Sequence, residues 1–152
     1  MRRIFALTGV ALAALFALAA PLGCAEDFKQ TIDAATVAFE GPSTRATKQF
    51  IYSRGTPLEV LVTIEGWHKV RDAQGGLVWV ERRALGERTQ VQVKSAAAVD
   101  AYASADEVSP VVFRAEPGVL LTLVAPPTNA YAQVRTRDGQ IGFLRIDSLF
   151  GI

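Results

Sequence analysis

Chemistry in this chain is bounded by a single histidine, His68, and a single cysteine, Cys24. Thiol-dependent hydrolysis needs a cysteine thiolate, a histidine and an orienting group. Cys24 sits at the end of an N-terminal apolar run, so that class is excluded, and a zinc site built on His and Cys falls with it. Serine catalysis would need His68 as base beside Ser43 or Ser53, and no spacing supports it. Non-covalent chemistry remains. Strand alternation places Trp67, Lys69 and Arg71 on one face and His68, Val70 and Asp72 on the other. Flat aromatic faces suit a sugar or a peptide, the competing reading being that the same rings are packing in a small core; an acidic partner would fall to the cations. The candidate ligand-binding residues are Trp67, Lys69, Arg71, Trp79 and Tyr131. No catalytic residue, metal site or cofactor is expected, and Arg82, Arg83 and Lys94 read as solvated charges.

The elements that must position these residues are strands. Trp67–Arg71 and Leu77–Val80 flank Asp72–Gly76, a loop of hairpin length. The pattern returns 64 residues later: Trp67, Val70, Arg71, Gly75 and Leu85 correspond to Tyr131, Val134, Arg135, Gly139 and Leu149. Four of the 19 positions from 67 to 85 are identical, against roughly one by chance, which marks an internal duplication. Before the first hairpin come Ala35–Phe39, Gln49–Ser53 and the β-branched run Leu58–Ile64, separated by Gly-Pro-Ser-Thr (41–44) and Arg-Gly-Thr-Pro (54–57) turns. Leu85–Thr89 reads as the passage between halves. Gln90–Lys94 alternates strictly and is a strand of either half. Val99–Tyr102, Val111–Phe113 and Val119–Val124 lead into the second hairpin, with Ala125–Ala130 as an insertion of about four residues relative to Glu65-Gly66. Turns every 8–12 residues without helical periodicity are the cadence of small all-β barrels.

The first 25 residues have another purpose. Arg2 and Arg3, the uncharged run Ile4–Ala20, the break at Pro21 and Gly23, and small residues at Gly23 and Ala25 form a secretory signal peptide cleaved after Ala25. An uncleaved anchor and an acylated Cys24 are the alternatives; Pro21 stands where a lipoprotein signal carries leucine. Export implies a periplasmic protein. Without Arg2 and Arg3 the 16 basic residues become 14, against 15 acidic ones, a net charge of −1 with no cysteine. Such a chain folds by packing alone, without disulfides. A near-neutral surface argues against nucleic acid as partner, and no later apolar run is long enough to span a membrane.

On Val37 with Gly41-Pro42-Ser43, the Gly55 turn before Leu58–Leu61, Gly66-Trp67-x-Lys69-Val70, and Trp79-Val80 followed by Leu85, the chain resembles the bacterial SH3-like domain family, in tandem. The resemblance covers Ala35–Leu85 and resumes from Val119, where the Gly-Pro-Ser turn has no counterpart. It implies two tandem, partly open SH3-like barrels: 1–25 signal peptide, 26–33 a loose leader, 34–88 the first domain and 89–152 the second. It also implies a non-catalytic role in the cell envelope. Eukaryotic relatives bind proline-rich peptides in an aromatic groove. Here the groove tryptophan aligns with Trp67 and Tyr131, but the groove proline and tyrosine align with Glu81 and Ala84, and with Arg145 and Ser148. Proline recognition is thereby disfavoured. The expected partner is a peptidoglycan peptide or an envelope protein, and the alternative is a periplasmic scaffold without a small ligand.

Overall fold

The computed structural model describes residues 26–152, so the expected signal peptide and Cys24 lie outside the described residues. The described residues form fourteen strands in two antiparallel seven-stranded sheets. The first contains β1 (Phe28–Thr31), β2 (Ala35–Phe39), β3 (Lys48–Ser53), β4 (Pro57–Ile64), β5 (Trp67–Arg71), β6 (Leu77–Glu81) and β7 (Leu85–Glu87). The second contains β8 (Gln90–Val93), β9 (Val99–Tyr102), β10 (Val111–Ala115), β11 (Leu120–Leu123), β12 (Tyr131–Arg135), β13 (Ile141–Arg145) and β14 (Leu149–Phe150). Their strand orders, β3-β2-β6-β5-β4-β1-β7 and β10-β9-β13-β12-β11-β8-β14, are the same path taken twice. One-turn 3₁₀ helices, Arg82–Ala84 and Ile146–Ser148, precede β7 and β14.

Each sheet curls around its own core without closing. Ala38, Tyr52, Leu58, Val70, Val78, Val80 and Leu85 form one cluster drawn from six of the seven strands. Val91, Val93, Ala101, Ala115, Leu121, Ala132, Val134, Leu144 and Leu149 form the other. A fully buried Leu or Val contributes roughly 1.5–3 kcal/mol, which units this small need from nearly every inward position. The all-β architecture expected from the turn cadence is what forms, and it is partly open, as the family resemblance implies.

Three local expectations are corrected, and one open assignment is resolved. The supposed leader contains β1, which pairs with both β4 and β7. Its inward residues Lys29 and Thr31 match Val91 and Val93 of β8 in register, so no apolar alternation marks it. Leu85–Glu87 is strand rather than passage, leaving Arg88 and Thr89 as the connector. The Gln90–Lys94 segment belongs to the second sheet, between β11 and β14. The insertion before Tyr131 is a net single residue: Leu58 matches Leu121 (121 − 58 = 63), whereas Trp67 matches Tyr131 (131 − 67 = 64). β4 continues to Ile64 through a bulge near Leu61, where the second sheet has a loop.

The sheets meet at the Arg54-Gly55 turn. The Thr31 hydroxyl donates to the Ser53 carbonyl (2.6 Å) and accepts from the Thr56 amide (3.0 Å). Gly55 has φ +84°, and a Cβ there would sit 2.1 Å from Oε1 of Gln90. Gln30 reaches the other way, its Oε1 accepting from the amides of Thr89 (2.8 Å) and Gln90 (3.0 Å).

Gly55→Ala is expected to destabilise the protein by about 1–3 kcal/mol from backbone strain alone, and further through Gln90. Gly75→Ala shares the conformation (φ +86°) but has open space around it. Urea unfolding of both variants separates the two contributions, and an excess loss in Gly55→Ala measures the contact between sheets.

His68 is a core residue. Its Nδ1 lies 2.9 Å from Oγ1 of Thr63, and burial, followed by the charges of Arg82 and Lys29, lowers its pKa. The unfolded chain then takes up the proton first. The stability this contributes is fully present above about pH 6.5 and is lost as pH falls toward the folded-state value. Thermal unfolding should show a midpoint that drops from pH 7 to pH 5 (both approximate), and a smaller drop in His68→Gln.

Candidate functional site

Trp67, Lys69, Arg71 and Trp79 share one face of the β5–β6 ladder, because Trp67 pairs with Glu81, Lys69 with Trp79 and Arg71 with Leu77. His68 and Val70 point into the core behind them. Both tryptophans are half-buried. Trp67 stands edge-to-face on Phe39 of β2, with centroids 5.5 Å apart at 87°, a favoured aromatic geometry. Arg71 is already engaged: its Nε and Nη2 donate to the Glu59 carboxylate at 2.7 and 2.8 Å. Tyr131 lies on the other sheet, opposite Arg145, and is not brought together with the other four.

A groove of about 560 Å³ opens between the Glu40–Thr47 loop and the 3₁₀ turn; none of the five candidate residues lines it, and Trp67 adjoins it through its contact with Phe39 and its pairing with Glu81. Phe39 lies in its wall, Thr44 and Lys48 come from the loop side, and Glu81, Arg83 and Ala84 from the turn. Asp33 completes the rim. Glu81 therefore faces both the groove and Trp67. The sequence alignment located Glu81 and Ala84 here but missed Phe39, Asp33, Lys48 and Arg83. Alternation in Ala35–Phe39 places Val37 and Phe39 on one face, which could have flagged Phe39. The others depend on how the loop folds back.

A smaller groove of about 140 Å³ occupies the matching place on the second sheet, with Tyr102, Arg145 and Ser148 in its wall. The charges are exchanged between the two. In the first, Glu81 at the strand end pairs with Arg83 in the turn; in the second, Arg145 pairs with Asp147 and also reaches Glu107 at 3.1 Å. Hydrogen bonding to Arg145 lowers the pKa of Asp147. Burial, then Glu107, raises that of Tyr131. The strand-end and turn positions thus carry reversed charges on the two sheets.

Among the described residues, no group of three His, Cys, Asp or Glu side chains could hold a metal, and no helix is long and apolar enough to cross a membrane. The arrangement can dock a ligand along an aromatic and charged wall.

No curated protein matches this chain. Among solved structures it is similar to NlpC2 from Trichomonas vaginalis (13% identity, TM-score 0.38, over 82% of this chain and 48% of that one). NlpC1 from the same organism aligns at 14% identity and TM-score 0.39, over 93% and 51% of the two chains. An NlpC/P60 family protein from Bacillus cereus ATCC 10987 aligns at 14% and 0.36, over 80% and 55%. The chain spans about half the length of these structures. The family comparison falls on the segment that builds the larger groove: residues 33–87 match the bacterial SH3 domain.

Proposed function

We propose that this is an exported, non-enzymatic binding protein of the bacterial cell envelope. Its two sheets act as tandem SH3-like domains, and the groove beside Trp67 takes a peptide of peptidoglycan or of an envelope protein. The observation that carries this reading is the groove itself, which lies inside the segment matching the bacterial SH3 domain and runs between its loop and 3₁₀ turn. Lys48 and Arg83 offer donors to carboxylates, Asp33 and Glu81 offer acceptors to amines, and Phe39 with Trp67 gives an apolar backing. Wall peptides carry both kinds of charge. With Glu81 and Ala84 in place of proline and tyrosine, the groove suits charged peptides rather than proline-rich ones.

The test is cosedimentation of residues 26–152 with purified wall sacculi and, separately, capture of envelope proteins on the immobilised protein. Trp67→Ala and Lys48→Glu should each abolish the interaction. Lys48 is exposed, so its variant should unfold within about 0.5 kcal/mol of the parent. Val70→Ala, in the core, should lower stability by about 1–3 kcal/mol while retaining binding at a temperature where it is folded. Binding that survives both groove substitutions would overturn this assignment.

A further inference from the structure

Matching ladder positions on the two sheets carry different charge partners. On the first sheet Glu59 of β4 is the register partner of Arg71 on β5, and the buried carboxylate accepts both guanidinium bonds described above. On the second sheet the same position pairs Thr122 with Arg135. The arginine is kept and its carboxylate is gone. Among the described residues, Arg135 forms no ion pair, and neither do Arg54 and Arg137.

Those three arginines line one cleft of about 990 Å³ between the sheets. Hydroxyl groups of Ser53, Thr122 and Thr136 stand with them, and no carboxylate is in the lining; Asp138 of the same turn is not part of it. The Thr136 hydroxyl accepts from the Gln140 amide, which leaves its proton free to donate. Solvated arginines scattered over a surface need no partner. Converging on a concave wall, they raise its potential and draw anions to it. A guanidinium presents a planar fork that carboxylates fill with two parallel bonds, as Glu59 does on Arg71.

We propose that this cleft binds an acidic peptide segment, one of whose carboxylates docks on Arg135 where Glu59 docks on Arg71. Arg54 and Arg137 receive neighbouring carboxylates of the same segment, and the hydroxyls donate to its carbonyls. The site uses no residue of the groove beside Trp67 and does not rest on the wall-binding reading. The internal precedent favours carboxylate over phosphate, because the position left open is that of a glutamate.

Fluorescence anisotropy of a fluorescein-labelled hexaglutamate peptide, titrated with residues 26–152 at low salt, tests the proposal. Saturable binding is expected, weakening as salt is added, with none for labelled hexaglutamine. Arg135→Gln and Arg137→Gln should each weaken it by about tenfold or more. Thr122→Glu should do the same by returning the internal carboxylate to Arg135. Arg135 and Arg137 are exposed, so their glutamine variants stay folded and keep the test readable whatever Thr122→Glu does to stability. Trp67→Ala should leave hexaglutamate affinity unchanged, which separates failure here from failure of the groove reading. Absent binding, or binding indifferent to Arg135→Gln, overturns the proposal. So does displacement by tripolyphosphate at concentrations where unlabelled hexaglutamate displaces nothing.

Discussion

The buried Thr31 anchors the first sheet's side of the junction between the sheets. Thr31 has one proton and uses it on the Ser53 carbonyl, while its oxygen accepts the Thr56 amide. Its backbone adds two more bonds, from its own amide to the Thr56 carbonyl (3.1 Å) and from the Gly55 amide to its carbonyl (2.8 Å). Four bonds thus pin the Arg54-Gly55 turn onto β1. A buried donor or acceptor left unpaired costs about 1–3 kcal/mol, so the turn has little freedom. Gly55 is held against Gln90 by this turn, and Arg54 is placed in the wall of the cleft between sheets. β1, in turn, is the strand that joins β4 to β7.

Shared topology makes the differences between the halves informative. The hydrogen bond from Arg82 to the Gly66 carbonyl recurs from Ile146 to Ala130, both at 3.0 Å. Gly66 has φ +77°, which suits glycine; Ala130 has φ +64° and bears the strain. Glu81–Arg83 becomes Arg145–Asp147, and Glu59–Arg71 becomes Thr122–Arg135. Four inward aliphatic positions change little in character, Leu58 to Leu121, Val70 to Val134, Val80 to Leu144 and Leu85 to Leu149, whereas Tyr52 becomes Ala115 and His68 becomes Ala132. Packing constrains the core of each half, and the polar positions on the surface are where the halves diverge in what they could bind.

The strands with regular patterns were legible from sequence. Ala35–Phe39, Trp67–Arg71 and Tyr131–Arg135 fall where alternation puts them, and the core face of β5 follows from His68 and Val70. β1 was not legible, because Lys29 and Thr31 take inward places that valines take in β8, and its stability comes from partners distant in sequence. The half-exposed face of Trp67 was legible; its contact with Phe39 was not, since it joins strands β2 and β5, which are not ladder neighbours. Arg71 looked like a free cation because Glu59 reads as one of many surface acids. Only the register of β4 on β5 brings the two together.

The position of β1 also dictates an order of events during synthesis. It emerges before the rest of its sheet, yet one neighbour, β4, begins at Pro57 and the other, β7, at Leu85. Until β7 is made, β1 exposes a row of unsatisfied amides and carbonyls, the kind of edge on which chains misassociate. Its four residues are short and carry a lysine at the inward position where β8 has valine, which discourages pairing with strangers. The feature that hid this strand from sequence patterns is therefore also one that keeps it safe while it waits.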